Sequence, residues 1–374
     1  MKSRMKSLLA FSFLAGFLAL ATGCSAFPSA LAADPAQSQA RLQQDLVKAL
    51  AERRSSVQLK MIGKESALKK TIKDTLEAAI RADDYLHYVV KTYGYKATIR
   101  GNTASISFDF TYWETLEQTN EVKSRVARTL KRIIAPGMND HQKEKAIHDW
   151  IVTNLAYDTR LVSHSAYDGL TEGRTVCQGY ALLTYEMMRQ AGIPVKIVEG
   201  TSRGRAHTWN LVRVGGKWYH LDATWNDPVP DVSGKAHYGY YNLTDSQIRV
   251  DHKWKASEDY PSASSDYGYA LETLSAESTA ASDFYRKLYG QLGYAYLKEE
   301  YTASDLSELT AMVRAAADDQ RNELVVRYLK GAAVKTDVKK AMNAARGISG
   351  ISYTYEDYPR TTAKDALVRM QLQY

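Results

Sequence analysis

At 374 residues, with an ordinary share of apolar and charged residues, the chain reads as globular and long enough for two or three modules and one well-buried core. The formal net charge of +7 falls to +4 once Lys2, Arg4 and Lys6 of the leader are set aside. So mild an excess, with no basic cluster interleaved with aromatic residues, implies no nucleic-acid partner.

The leader is a positive n-region followed by an apolar run from Leu8 to Ala21, too short for a membrane span and suited to a secretory signal over residues 1–23. Export is the expectation. Ala21-Thr22-Gly23-Cys24 resembles a lipoprotein lipobox, with Ala21 where leucine is usual, and a lipidated Cys24 would anchor the chain on the outer face of the membrane. Ala30-Leu31-Ala32 offers an ordinary cleavage site before Ala33 as the alternative, which would give a secreted protein. Either way Cys177 is left without a disulfide partner. A lone thiol outside the cell is an oxidation liability, and a catalytic role accounts for its retention. The competing reading is an inert buried cysteine used as a small hydrophobe.

Residues 24–55 read as a tether and a short helix: Ser, Ala, Pro and Gln dominate up to residue 40, and Leu42, Leu46 and Leu50 then share one helical face. Residues 56–116 read as a small α+β module. It holds a strand alternating at Val57, Leu59 and Met61, a helix with Leu68, Ile72, Leu76 and Ile80, and two strands around a Gly101-Asn102 turn.

A core over residues 117–262 follows. Val122, Val126, Leu130 and Ile134 mark a helix that ends before Pro136-Gly137. A second begins after Asn139 as N-cap, with Ala146, Ile147, Trp150, Ile151 and Leu155 on its buried side. His148 lies on that helix and reads as structural, having no partner at ligand spacing. Tyr157 to Thr175 is a long polar connection, the kind that covers or lines a site. From Cys177, apolar residues recur at Ala181, Leu182, Tyr185, Met188 and Ala191 before Gly192 and Pro194, so Cys177 falls on the first turn of a helix. Free N–H groups and the helix dipole at that end favour the thiolate, the nucleophilic form.

His207 to Val214 and Lys217 to Thr224 are β-branched and aromatic runs joined by Gly215-Gly216, a hairpin signal. If Val214 faces Lys217, then Trp209 faces Asp222. Asp222 becomes the diagonal neighbour of His207 on one face of the sheet, with Cα atoms roughly 7 to 8 Å apart. A three-residue loop would send Asp222 to the other face. His220 shares that face but stands opposite Leu211, about 13 Å along the sheet from His207.

Three boxes then stand out: CQGYA (Cys177 to Ala181), AHTWN (Ala206 to Asn210) and LDATWND (Leu221 to Asp227). With AIHDWIVTNLAYD before them and DHKW after, they resemble the transglutaminase-like superfamily, rearranged relatives of papain-type peptidases, over roughly residues 140 to 262. The resemblance implies Cys177 as nucleophile, His207 as general base and acid, and Asp222 as the group that orients the imidazole. A second oxyanion donor is left open between Trp150 and Tyr157. The resemblance also makes His252 and Trp254 of the DHKW box structural. The three site residues could instead bind a metal, but structural zinc sites show close Cys or His pairs that are missing here, so neither metal nor cofactor is expected.

Tyr240 to Leu243 reads as a strand and Asp245 to Val250 as a short helix. Residues 263–320 read as a linker with helices, SASSDYG being linker and helices following near Ser278 to Leu288 and Ser304 to Ala317. Residues 321–374 repeat the first module in outline: strand Leu324 to Tyr328, helix Val334 to Ala345, strands Ile351 to Tyr355 and Ala366 to Tyr374. The expected fold class is therefore α+β: a papain-like, transglutaminase-like core, with the Cys177 helix packed on an antiparallel sheet carrying His207 and Asp222, flanked by two small β-α-β-β modules.

The implied function is an exported, cysteine-dependent acyl transfer on amide bonds of envelope or extracellular peptides or proteins, cell-wall peptide included. Hydrolysis is slightly favoured over crosslinking, since nothing resembles the calcium sites and β-sandwich domains of animal crosslinkers. The contrasting reading is a non-catalytic envelope scaffold whose flanking modules do the binding.

Overall fold

The computed structural model describes residues 34–227, 229–230, 234–255, 260–277, 279–344 and 347–374. The leader, Cys24, residues 25–33 of the expected tether and the alternative cleavage site lie outside the described residues. No helix among the described residues is long and apolar enough to cross a membrane.

The amino-terminal unit begins earlier than its composition suggests. Helix α1 (Pro35–Ala51) takes in the last part of the expected tether. Asp34 accepts a hydrogen bond from Ala36 N, and Pro35 sits in the first turn, where a missing N–H is harmless. Strand β1 (Ser56–Ile62), helices α2 (Glu65–Ile80) and α3 (Asp84–Val89), and strands β2 (Val90–Arg100) and β3 (Thr103–Tyr112) follow. The sheet order is β1-β3-β2, antiparallel throughout, with α1 and α2 packed on it and on each other.

Nine elements build the centre of the fold up to the end of its hairpin. They are α4 (Leu116–Ile133), α5 (Asp140–Asn154), β4 (Ala156–Tyr157), α6 (Ala166–Glu172), β5 (Arg174–Thr175), α7 (Cys177–Gln190), β6 (Val195–Ser202), β7 (Arg205–Val214) and β8 (Lys217–Leu221). Capping boxes start α4 (Thr115 with Gln118) and α5 (Asn139 with Gln142). Helix α8 (Asp245–Ile248) and strand β9 (His252–Trp254) close the sheet in the order β8-β7-β6-β9. Helix α7 packs on β6 and β7 on one side and on α4, α5 and α6 on the other, so Gly179 to Thr184 is buried all round rather than on one face.

Several expectations are corrected. The connection before Cys177 is not an open loop but contains α6 and a two-strand parallel ladder, Ala156 with Arg174 and Tyr157 with Thr175. On α5, Glu144 and His148 are fully buried, whereas Ala146 and Trp150 are only half-buried. Tyr240 to Leu243 forms no strand, only an isolated bridge from Leu243 to His220. The end of the expected linker already belongs to helix α9 (Tyr267–Ala276), whose Tyr267 is buried against Tyr219 and Tyr241. Helix α10 (Ser282–Gln291) packs beside it.

The carboxy-terminal unit comprises β10 (Thr302–Ala303), α11 (Leu306–Asp318), β11 (Glu323–Tyr328), α12 (Val334–Asn343), β12 (Gly350–Asp357) and β13 (Ala366–Gln373). Its sheet order, β10-β11-β13-β12, repeats the first unit's order with one short strand added. The registers repeat as well. Met61 pairs with Ala104 and Leu59 with Ile106 in the first unit, and Tyr328 pairs with Ala366 and Val326 with Val368 in the second. Both units carry a helix ahead of the first strand, so the repeat is α-β-α-β-β, one element longer than the sequence pattern indicates. Leu42, Leu46 and Ala49 on α1, and Leu309, Val313 and Ala316 on α11, are buried at the same spacing along their helices.

Candidate active site

The Gly215-Gly216 turn, with φ of 55° and 76°, has the left-handed backbone at both central positions that a tight hairpin needs. It fixes Val214 opposite Lys217 and Asn210 opposite Leu221, which places Asp222 immediately beyond the end of β8. His207 on β7 donates from Nε2 to Asp222 Oδ2 at 2.6 Å. Cys177 stands at the tip of α7, close enough to His207 for the two side chains to interact electrostatically, and Nδ1 is the His207 nitrogen not used by Asp222. The hydroxyl of Thr208 donates to the Cys177 sulfur, at 3.7 Å. The structure thus brings Cys177, His207 and Asp222 together.

The electrostatics follow from this contact. Burial alone would push the Cys177 thiol up, but the hydrogen bond and charge of His207 outweigh it and hold the thiol below its ordinary value. Burial would likewise depress His207, yet Asp222 and Cys177 lift it to about 10. Burial would raise Asp222, but His207 and a second imidazole hold it well below the usual carboxylate range. A thiolate beside an imidazolium is the resting state these shifts favour.

That second imidazole, His252, carries more than the structural role its box implied. It donates from Nε2 to the same Asp222 oxygen at 3.0 Å, while Asp222 Oδ1 accepts from Thr224 N at 3.0 Å and Trp225 N at 3.1 Å. His207, Asp222 and His252 bring their ligand atoms close enough to hold a metal ion. However, both nitrogens converge on one carboxylate oxygen at hydrogen-bond distance, the geometry of a shared acceptor rather than of three ligands around a common centre.

Other box residues lock the pieces together. Asn210 donates to Ala181 O at 3.1 Å, joining β7 to α7, and the Tyr180 hydroxyl donates to Asp227. Gln178 donates to Tyr88 O at 2.8 Å, tying the helix tip to the amino-terminal unit. His148 accepts from Asn226 Nδ2 at 3.0 Å and lies buried in a structural position. His220 accepts from Trp209 Nε1 at 2.9 Å and donates to Asp245 at 2.8 Å, so both its nitrogens are occupied away from the sulfur. Of the two oxyanion candidates, Trp150 lines a separate pocket with Arg125, Arg128 and Arg132, whereas Tyr157 lies close enough to the sulfur to feel its charge.

A buried helix presenting a thiol to an imidazole and carboxylate on an antiparallel sheet defines a transglutaminase-like core, the fold of a cysteine-dependent enzyme family. The model described as "Transglutaminase-like superfamily" matches residues 127–223, a span that contains all three side chains, and this part of the chain belongs to that superfamily. The chain is 26% identical over 164 residues to kyphoscoliosis peptidase of Mus musculus, a match covering 38% of this chain and 25% of the relative. It is 34% identical over 128 residues to an uncharacterized protein of Mycobacterium leprae (strain TN), covering 30% of this chain and 42% of that one. It therefore spans less than half the length of either relative. A crystal structure of a TGase superposes with a TM-score of 0.28 and 14% identity, over 39% of this chain and 48% of that one.

Proposed function

We propose that the protein is an exported cysteine-dependent acyl-transfer enzyme acting on amide bonds of envelope or extracellular peptides or proteins. The observation that carries this reading is the His207–Asp222 hydrogen bond at 2.6 Å with the Cys177 sulfur beside it, where His207 holds the thiol below its ordinary value. The Cys177 thiolate attacks the amide carbonyl, His207 protonates the departing amine from Nδ1, and Asp222 holds the imidazole in the required tautomer. The oxyanion is met by the backbone N–H of Cys177 at the helix tip, where Val176 offers no side-chain cap, and by the Tyr157 hydroxyl as second donor. The resulting thioester is released by water or by an amine.

Hydrolysis is the favoured outcome. The mouse relative is named a peptidase, which supports it. Exposed Leu161 and Val162 lie on the loop whose Ser163 carbonyl bonds Val176 N beside the thiol, and they offer an apolar side to a peptide. The site of action, outside the cell and anchored through Cys24 or free, rests on the leader.

A thiol-directed probe applied to the mature protein tests this reading against Cys177→Ala. Rapid labelling of the wild type alone supports it; labelling no faster than that of the denatured thiol leaves the scaffold reading in its place. New N-termini, ammonia release or amine incorporation from envelope peptides then separates peptidase, deamidase and transglutaminase.

A further inference from the structure

His252 is wholly buried, and each of its ring nitrogens faces a carboxylate: Nε2 lies 3.0 Å from Asp222 Oδ2 and Nδ1 lies 2.6 Å from Asp251 Oδ1. An ionised carboxylate can only accept a hydrogen bond, so both nitrogens must carry protons and the ring is an imidazolium. Asp251 is fixed in its ionised form by the Tyr240 hydroxyl at 2.5 Å and Arg203 Nε at 3.2 Å, both donating to Oδ2. Arg203 in turn lies over the Trp225 ring and donates to Asp357 Oδ2 at 3.0 Å. From the sulfur outward the groups alternate in sign: thiolate, imidazolium, carboxylate, imidazolium, carboxylate, guanidinium.

We propose that His252 is a positioning residue of the reacting pair, a buried cation that shares the Asp222 carboxylate with His207 and so limits how much of its negative charge His207 receives. The proposal rests on the reading of Cys177 and His207 as the reacting pair. A carboxylate serving one imidazole stabilises that ring's cation with its full charge and raises the ring's hold on its proton. Divided between two rings on one oxygen, its pull on each is weaker. The orientation of Asp222 does not depend on this sharing, because its other oxygen is held by Thr224 N and Trp225 N. Charge and geometry are therefore separable.

The groups facing His252 from the elements around it are Asp222, Asp251, Tyr240 and His207, whose ring centre is 5.4 Å away, with Trp209 at 5.0 Å. His220, on β8 at the other edge of the sheet, is the other titratable ring within electrostatic reach, and Arg249 stands beyond it over Trp254. Removing one positive charge from this set disfavours every proton loss nearby. The thiol should then ionise at higher pH, and His207 should keep its proton to higher pH.

The test is the pH profile of Cys177 alkylation by iodoacetamide in the full chain, for the wild type and for His252→Gln, which retains an N–H for Asp222 but no charge. Both inflections should move upward, by about one pH unit for a charge at this range. In parallel, the nitrogen-bound ring protons of His252 in the wild type are observed by NMR, where two signals persisting through neutral pH are expected. Two signals with shifted inflections support the proposal, and a single signal or unmoved inflections overturn it. If His252→Gln does not fold, the wild-type signals decide alone. A wild-type Cys177 that titrates like a free thiol, near the ~8.5 of an unperturbed cysteine, would sink the reading of the reacting pair while leaving the His252 ring protons to be counted separately.

Discussion

His207 Nε2 and Asp222 Oδ2 stand 2.6 Å apart although their residues lie 15 positions apart in sequence, because a two-glycine turn folds β8 back along β7 in one register only. A one-residue slip would carry Asp222 to the opposite face and leave His207 without its partner. Asp222→Asn keeps an acceptor for Thr224 N and Trp225 N, so the fold should survive. An amide nitrogen or oxygen facing His207 does not stabilise the imidazolium, however, and permits the wrong tautomer. Acyl transfer should fall by roughly 10³-fold or more, with thermal unfolding little changed. A variant retaining a tenth of wild-type kcat/KM would show that the carboxylate is dispensable.

Stability should follow pH through the same pair. Burial opposes the charge on His207, yet Asp222 and Cys177 lift its pKa to about 10, above the ~6.5 of an unfolded histidine. Its contribution is fully present below about pH 6.5 and is lost as pH rises through about 10. Asp222 has the opposite sign. Held low against burial by His207 and His252, it contributes above the ~3.9 of an unfolded aspartate and loses that contribution as pH falls. Urea unfolding across pH should show this cluster's contribution greatest between about pH 4 and 6.5. In His207→Gln the alkaline decline should flatten; an unchanged decline would assign it to other groups.

Gly179 supports the sulfur from below. A Cβ there would lie 1.9 Å from Thr175 Oγ1 and 2.6 Å from the Ser165 carbonyl, and neither neighbour can yield easily. Thr175 Oγ1 is itself donating to the Ser163 and Ser165 carbonyls, both at 3.1 Å. Gly179→Ala must therefore push the first turn of α7 away from β5, destabilising the protein by about 1–3 kcal/mol and moving Cys177 off His207. Thermal melting and the alkylation rate of Cys177 should both fall. A variant that melts like the wild type would show that the turn has room after all.

How much of this was legible beforehand varies with the range of the interaction. The hairpin, the Cys177 helix and the duplicated module were readable because local signals mark them: two adjacent glycines, a 3.6-residue apolar period, and the same alternation at both ends of the chain. Strand β6 was not, because Val195 to Ser202 is an interior strand buried unevenly on both faces and shows no clean period-two pattern. Helix α9 was hidden by its small and polar neighbours, since what orders it is Tyr267 packing on Tyr219 and Tyr241, which come from other elements. His252 was read as structural because its partner Asp222 lies 30 residues upstream and the two meet only when β9 pairs with β6. The adjacency of Asp251 to His252 was the one local hint.

Arg360 joins the second small unit to the core without any carboxylate. It is almost fully buried and donates from Nε to Leu292 O at 3.0 Å, from Nη1 to Tyr241 O at 2.6 Å and from Nη2 to Tyr238 O. Its guanidinium lies 5.0 Å from the centre of the Tyr294 ring. Two of these carbonyls, those of Tyr238 and Tyr241, flank Tyr240, whose own carbonyl accepts from Asp222 N at 3.0 Å, so the clamp reaches Asp222 through one stretch of backbone. Arg360→Met keeps the apolar stem but strands two buried acceptors, Leu292 O and Tyr241 O, each worth roughly 1–3 kcal/mol when unsatisfied, whereas Tyr238 O keeps Tyr241 N as donor. The variant should lose at least about 2 kcal/mol of stability. Amide exchange should quicken first across residues 238–241 and in β12 and β13, and Cys177 alkylation should slow while that segment is loosened. Rapid exchange confined to β12 and β13, with residues 238–241 as protected as in the wild type, would mean that the clamp holds the outer unit alone and does not reach the site.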